Sequence, residues 1–254
     1  MTIKGILRRL LPEALHPSRL VRRSIARRAG GHVLSGPFAG MRYEHGRAIG
    51  SVLDAKLLGT YELELWPAID RIVESGFEHI VNIGAGDGYY AVGLALALPR
   101  ARVVAFEQDP AGQAAIKALA ELNGVSARVE VRGRCEAIDL AASLPDGRTC
   151  VVCDVEGEEA ALLDPGVVPA LRRHHLLVEI HEFVVRGVAR LVQERFETTH
   201  EVEVIWQRDR RLSDFPSPPW WERRLPEKYT LAFMHEGRPE RMRWLSLTPR
   251  RPPP

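Results

Sequence analysis

The feature that most constrains this chain is a glycine-rich turn between two apolar segments. The run His79–Ile83 is short and rich in β-branched residues, which predicts a buried strand, and Tyr89–Leu98 is apolar throughout and long enough for a helix. Gly84, Gly86 and Gly88 stand between them. Glycine lets the main chain turn sharply and lets a ligand approach without a Cβ in the way, and a helix N-terminus adds free N–H groups. The sequence therefore predicts a ligand site at this turn.

The spacing of the glycines indicates the class of ligand. Dinucleotide sites need G-x-G-x-x-G, in which the third glycine stands five positions after the first, and Tyr89 occupies that position here. The observed spacing is G-x-G-x-G, the form associated with S-adenosylmethionine, which has no pyrophosphate to bind. We therefore expect S-adenosylmethionine as the cofactor, held by Gly84, Gly86 and Gly88.

Two residues further along the chain complete the predicted cofactor site. Glu107 ends the next predicted strand, 23 residues after Gly84, and an acidic side chain at about this distance can bind both ribose hydroxyls. Asp109 is the alternative ribose ligand. The segment after the third predicted strand should lie beside the adenine, and Cys135 is the candidate there.

Strand-like and helix-like segments alternate along residues 79–196. This alternation predicts an α/β fold with a mostly parallel sheet and helices on both faces. Glu201–Trp206 and Tyr229–His235 have no helix between them and should pair as a C-terminal antiparallel hairpin. Two of the expected helices cover Tyr61–Ser75 and Phe183–Phe196.

Charge and composition bear on location and partners. Residues 1–30 carry eight basic residues against the single acid Glu13, or +7, although the whole chain carries only +2. This basic arm is either a solvated helix packed on the body or a contact for an anionic membrane, a nucleic acid or an acidic partner. No apolar stretch reaches the roughly 18 residues that span a bilayer, and three unevenly placed cysteines indicate a reducing compartment, so we expect a cytoplasmic protein without a transmembrane segment.

Polar residues end the fourth and fifth predicted strands, where the methyl acceptor would bind. Asp154 follows the fourth strand, and Glu179 and His181 end the fifth. Such a cluster can hold acceptor hydroxyls, remove a proton, or bind a divalent metal through Asp154 with Glu179 or His181. We assign these three residues as catalytic candidates and assign no metal site.

Four short motifs together point to a family. They are Gly36-Pro-Phe-Ala-Gly-Met41, Leu58-Gly-Thr-Tyr-Glu62, Asn82-Ile-Gly-Ala-Gly-Asp-Gly-Tyr-Tyr90, and Asp154-Val-Glu-Gly157 with Glu159. Over about residues 36–182 the chain resembles FkbM-type methyltransferases. The resemblance implies a Rossmann-like class I fold with a seven-stranded sheet, and O-methylation of a hydroxyl on a small molecule, a sugar or a glycan.

The same resemblance implies roles for individual residues. Tyr61 and Glu62 would close over the methionine end of the donor, and Glu107 would hold the ribose. The family's acidic residue before the first glycine is Asn82 here, which can still accept a hydrogen bond from the donor's amino group. The family often has Asn where Gly86 stands.

The expected organisation is a basic helical extension (residues 1–32), a methyltransferase domain (33–248) and a flexible tail (249–254). The Pro/Trp segment 214–225 is long enough to be a functional loop or a lid. The alternative function is a non-catalytic or nucleic-acid-associated module that retains the fold. No Asn/Asp-Pro-Pro-Tyr/Phe motif follows the fourth strand, which argues against methylation of exocyclic base nitrogens.

Overall fold

The computed structural model describes residues 16–43 and 52–250. The chain divides into two compact units, a helical unit (Met1–Leu63 and Asp209–Gly237) and a sheet unit (Glu64–Arg208 and Arg238–Pro254). This division does not test whether residues 1–32 form a separable extension, so the expected domain boundaries stay a prediction.

The sheet unit is built on one seven-stranded sheet. Its strands are β1 (His79–Ile83), β2 (Arg102–Phe106), β3 (Val129–Arg132), β4 (Thr149–Cys153), β5 (His175–Ile180), β6 (His200–Trp206) and β7 (Arg243–Pro249). Their order in the sheet is β3-β2-β1-β4-β5-β7-β6. Strands β1 to β5 pair in parallel, and β7 is antiparallel to both β5 and β6. The mostly parallel seven-stranded sheet with a C-terminal antiparallel pair is therefore confirmed.

Nine α-helices occur among the described residues. In chain order they are α1 (Pro17–Ala29), α2 (Leu53–Leu58), α3 (Trp66–Glu74), α4 (Tyr89–Ala97), α5 (Pro110–Leu122), α6 (Ala137–Ala142), α7 (Glu159–Leu162), α8 (Val188–Phe196) and α9 (Lys228–Leu231). Helices α4 to α8 connect or follow the parallel strands, as expected for a sheet built from β–α–β crossovers. No helix among the described residues combines the length and apolar composition that crossing a bilayer requires.

The central strands are apolar because helices cover them on both sides. All five residues of β4 are buried, and only the first residue of β5 is partly exposed. One face of β1, β4, β5 and β7 packs on α8, whose Val188, Val192 and Phe196 are buried in the same apolar cluster. Strands buried on both faces carry continuous apolar runs, and this is why the sequence identifies them so clearly.

One predicted strand is wrong. Residues 229–235 begin with α9 and continue as a turn, and the partner of β6 is β7 instead. In the 229–235 segment, Tyr229 and Phe233 are buried four residues apart, which is helical spacing rather than strand alternation. The partner strand β7 contains the buried residues Trp244 and Leu245. It runs into the Pro/Arg-rich segment at the end of the sequence, and for this reason the sequence pattern did not identify it as a strand.

Two predicted helices begin later than expected. The helix predicted over Tyr61–Ser75 begins at Trp66, and the one over Phe183–Phe196 begins at Val188. Before α8 the chain forms a turn in which the Glu182 carboxylate accepts hydrogen bonds from the N–H groups of Gly187 (2.8 Å) and Ala189 (3.1 Å). This carboxylate satisfies free N–H groups at the helix start and so fixes the boundary.

In the helical unit, α1 forms specific ion pairs. Arg22 donates to Asp54 of α2 at 2.8 and 3.1 Å, and Arg28 donates to the Pro216 carbonyl at 2.7 Å and to buried Glu222 at 3.2 Å. Part of the basic arm is therefore neutralised within its own unit. The first fifteen residues of that arm lie outside the described residues.

Candidate functional site

A cavity of about 360 Å³ opens at the carboxyl ends of β1, β2 and β4 in the sheet unit. Five of the predicted site residues line it together: Gly84, Gly86, Glu107, Cys135 and Asp154. Ligands of open parallel sheets bind at this edge, where neighbouring strands lead their connections to opposite faces. We call this space the donor cavity.

Gly84 is required by the backbone behind it. Its φ is +71°, and a Cβ at this position would lie 1.6 Å from the carbonyl oxygen of Asp154, because the end of β4 passes directly against the turn. Gly86 (φ +57°) has open space where a Cβ would project. Gly88 precedes α4 and is not among the residues that line the cavity. The first glycine therefore shapes the turn, and the second leaves room at the cavity.

The Glu107 carboxylate is fixed at the glycine turn. One oxygen accepts a hydrogen bond from the Gly86 N–H at 2.7 Å, and the other accepts one from the Asp109 N–H at 2.8 Å. Each carboxylate oxygen has a second lone pair, so both can also accept hydroxyl protons from a ligand. Asp109, the alternative ribose ligand, instead caps α5 by accepting from the Ala111 N–H at 3.0 Å.

Part of the donor cavity is lined by apolar groups. Phe106, Cys135 and Leu162 line it, and burial raises the pKa of Cys135 to about 12, so the thiol is neutral. Arg134 and Glu158 form an ion pair at 2.6 Å and also line the cavity, with Gln108. Apart from their position after strand ends, no feature of the sequence pointed to Arg134, Glu158 or Gln108.

The buried His181 is the centre of a polar cluster beside the cavity. Its Nδ1 lies 2.5 Å from Glu159 Oε1, and its Nε2 lies 3.5 Å from Asp154 Oδ1 and 3.4 Å from Glu156 Oε2. Glu159 is fully buried and also accepts from the Gly157 N–H at 3.1 Å. Glu159 was part of the family motif, and neither it nor Glu156 was predicted as catalytic.

The cluster sets the protonation of His181. Burial opposes the charged imidazolium, but the hydrogen bond to Glu159 and the charges of Asp154, Glu159 and Glu156 outweigh it, so the pKa of His181 is raised. Because a carboxylate only accepts hydrogen bonds, Nδ1 carries the proton in the neutral ring, and the lone pair at Nε2 faces Asp154 and Glu156.

The same atoms satisfy the spacing of a metal site. Asp154, Glu156 and His181 each offer one ligand atom, and these atoms lie within 4.8 Å of one another. A histidine ligand whose other nitrogen donates to a carboxylate is common at metal centres. Glu179 is not part of this triangle, so the cluster differs from the one expected from the sequence.

Four other predicted residues do not line the donor cavity. Glu179 is buried and forms an ion pair with Arg238. Asn82 is buried with its Nδ2 3.4 Å from the Val152 carbonyl, and its Oδ1 has no hydrogen-bond partner among the described residues. Tyr61 and Glu62 belong to the helical unit, so their expected contact with the donor stays a prediction.

Comparison with known proteins gives likeness of fold. No protein-family model matches the sequence and no curated protein matches it. Among solved structures, a precorrin-6y C5,15-methyltransferase from Geobacter metallireducens is 14% identical and covers 71% of this chain and 88% of its own, with a TM-score of 0.45. A human methyltransferase 10 domain containing protein is also 14% identical, covering 91% and 97%, with a TM-score of 0.49.

A third similar structure is the cofactor-bound Rv0187 from MTB, at 15% identity, 81% and 89% coverage, and a TM-score of 0.42. At identities this low the similarity concerns the fold alone. The order of the parallel strands, β3-β2-β1-β4-β5, is that of a Rossmann-like doubly wound sheet. Membership of the FkbM-type group stays a prediction.

Proposed function

We propose that the protein is an S-adenosylmethionine-dependent methyltransferase that methylates a hydroxyl on a small molecule, a sugar or a glycan. The observation that carries the proposal is the Glu107 carboxylate, which is fixed by the Gly86 N–H at the wall of an open cavity. A carboxylate at this point of an α/β sheet is suited to binding the two hydroxyls of a ribose. The volume of about 360 Å³ is within the range of small-ligand sites.

The residues present fit the cofactor. Glu107 would hold the ribose, the apolar wall at Phe106 and Cys135 would contact the base, and the backbone at Gly84 and Gly86 would contact the methionine part. When bound, the cofactor supplies a methyl group that its sulfonium already activates. The enzyme's remaining tasks are to orient the acceptor oxygen and to remove its proton.

We assign proton removal to His181. A hydroxyl that gains a methyl group must lose its proton, and the Nε2 lone pair of His181 can accept it. The imidazolium that forms is stabilised by Glu159 at Nδ1 and by Asp154 and Glu156 at Nε2. Asp154 lines the donor cavity and lies 3.5 Å from Nε2, so its carboxylate can accept a hydrogen bond from a neighbouring hydroxyl of the acceptor.

Two further assignments belong to this proposal. We infer cytoplasmic residence, and contact of the basic N-terminal arm with an anionic surface, from composition and charge. The competing function is a non-catalytic or nucleic-acid-associated module with the same fold. It is favoured by Asn82, which stands where FkbM-type methyltransferases have an acidic residue. Donor binding distinguishes the two.

Calorimetric titration with S-adenosylmethionine and S-adenosylhomocysteine tests donor binding. We expect a sub-millimolar dissociation constant that rises at least tenfold in Glu107→Ala, because hydrogen bonds to a charged acceptor contribute about 1.5–3 kcal/mol each. Glu121→Ala is the matched control, since Glu121 is an exposed carboxylate on α5 outside the cavity lining. A folded wild-type protein that binds neither ligand would establish the non-catalytic alternative.

A positive titration is followed by an acceptor screen. Formation of S-adenosylhomocysteine is measured with panels of hydroxylated small molecules and sugars, and an amine panel is run beside them. Turnover confined to amines would contradict O-methylation while leaving donor binding intact.

A further inference from the structure

A second cavity, of about 540 Å³, lies in the sheet unit where the parallel strands β4 and β5 begin, at the opposite ends of these strands from the donor cavity. His175, the first residue of β5, and Thr248, near the end of β7, both line it. His181 follows the other end of β5, and six residues of strand span about 20 Å. This basic cavity is therefore separate from the donor cavity.

The charge of the basic cavity is one-sided. Four arginines and one histidine line it, and no carboxylate does: Arg71, Arg148, Arg173, Arg250 and His175. An arrangement of several guanidinium groups around a concave surface is expected to raise the local concentration of anions.

The acidic partners of these arginines stand outside the lining and are exposed to solvent. Arg71 pairs with Glu203, Arg173 with Asp146 at 3.6 Å, and Arg250 with Glu201 at 3.9 Å. The three carboxylate side chains are 54%, 100% and 75% exposed, and exposed ion pairs contribute little. A multivalent anion in the cavity can therefore compete with them for the guanidinium groups.

Arg148 has no acidic partner at all within residues 16–43 and 52–250. Its guanidinium lies over the ring of buried Phe77, 5.0 Å from the centroid, and the His175 ring lies 5.8 Å from the same ring. The aromatic ring supports the guanidinium plane and leaves its N–H groups available.

His175 adds a neutral polar group to the wall. Its Nδ1 lies 3.3 Å from Thr248 Oγ1, and its Nε2 is buried without a hydrogen-bond partner in the part of the chain that the structure describes. Burial, followed by the charges of His200, Arg71 and Arg148, lowers the pKa of His175 to about 4.

We propose that the basic cavity binds a phosphate-bearing small molecule. Guanidinium groups donate pairs of hydrogen bonds that match phosphate oxygens, and the free Arg148 together with Arg173 and Arg250 provides more such donors than one phosphate requires. The volume suits a small ligand rather than an extended polymer. The site does not depend on methyl transfer.

Calorimetric titration of the full chain with inorganic pyrophosphate at low ionic strength tests the proposal. We expect one site, weakened at least tenfold in the double variant Arg148→Gln/Arg173→Gln. Both arginines are exposed, so the variant should keep the wild-type unfolding temperature. Arg190→Gln is the matched control, because Arg190 is exposed on α8 and pairs only with Glu194 at 2.6 Å.

Arg134 lines the donor cavity and provides the alternative location for the anion. Arg134→Gln should bind pyrophosphate like the wild type, and saturating S-adenosylhomocysteine should not displace pyrophosphate. Absence of binding to the wild type, equal binding by the double variant, or displacement by S-adenosylhomocysteine would each overturn the proposal.

A lipid headgroup could present the same phosphate chemistry. Sedimentation with phosphatidylcholine vesicles containing phosphatidic acid, compared with phosphatidylcholine alone, separates the two sources. Sedimentation that requires Arg148 assigns the phosphate to a lipid, and pyrophosphate binding without sedimentation assigns it to a soluble ligand.

Discussion

Two histidines at opposite ends of β5 have opposite environments. His181 follows the carboxyl end of the strand among Asp154, Glu156 and Glu159, and its pKa is raised. His175 begins the strand among arginines, and burial and positive charge lower its pKa to about 4. A histidine side chain is therefore suited to proton uptake just after the carboxyl end of β5 and is held neutral at the start of that strand.

The two ends of the parallel strands in one sheet can therefore serve different chemistry. As proposed, the acidic cluster would stabilise a positive charge that forms on His181 during a reaction, and the basic cavity would attract a ligand that is already negative. Residue type alone would have treated the two histidines alike. Substitutions that remove either histidine or its charged neighbours test this difference.

The largest expected effect is on catalysis by His181. In His181→Ala, turnover of an acceptor found in the screen should fall about 10²- to 10⁴-fold, the range attributed to general acid–base catalysis. Affinity for S-adenosylhomocysteine should change less than threefold, because His181 is not among the residues that line the donor cavity. Steady-state rates and calorimetry together measure this split.

The matched control for His181 is the other histidine. His175→Ala should leave turnover within about twofold, since His175 lies at the far edge of the sheet. A larger loss in His175→Ala would contradict the separation of the two edges. Loss of turnover on dialysis against a chelator, restored by Mg²⁺, would instead assign the Asp154–Glu156–His181 triangle to a cation and not to proton transfer.

A smaller effect is expected from the carboxylate behind His181. Glu159→Gln keeps the size of the side chain but removes the charge that raises the His181 pKa. The neutral base should then persist to lower pH, so the acid limb of the turnover profile should move to lower pH. The maximal rate should fall about tenfold, because the imidazolium loses stabilisation.

Nuclear magnetic resonance titration of the His181 imidazole checks the Glu159 prediction without an acceptor. Its pKa should be lower in Glu159→Gln than in the wild type. Glu158→Gln is the control, since that exposed carboxylate pairs with Arg134. An unchanged His181 pKa in Glu159→Gln would show that Glu159 does not position or charge the ring.

The sequence predicted most of the residues that line the cavity at the glycine turn, and fewer of those that surround His181. Gly84, Gly86 and Glu107 were predicted because a strand, a turn and the next strand end are local features with fixed spacing. Glu179 lies in β5 and His181 directly follows that strand, and yet only His181 joins the acidic cluster. Glu179 pairs with Arg238, which is 59 residues away, and no local pattern predicts that contact.

The same limit explains the misplaced strand and the unpredicted cavity. β7 inserts between β5 and β6, so its apolar residues are selected by partners far along the chain. The arginines of the basic cavity come from α3, the segments before β4 and β5, and the chain end after β7. Long-range pairing brings them together, and only a structure reveals it.

The smallest expected effect is on stability and concerns His175. Because its pKa is about 4 in the folded chain and ~6.5 when unfolded, the unfolded chain binds more protons between these values. His175 therefore destabilises the fold as the pH falls from about 6.5 to about 4.

His175→Gln cannot titrate, so its stability relative to the wild type should improve by about 1–3 kcal/mol between pH 7 and pH 4. Urea unfolding at the two pH values measures this difference. His181 has the opposite sign, since its raised pKa favours the fold at low pH and that contribution is lost as the pH rises through the folded value. If His175→Gln instead lost relative stability on acidification, the positive surroundings assigned to the basic cavity would be wrong.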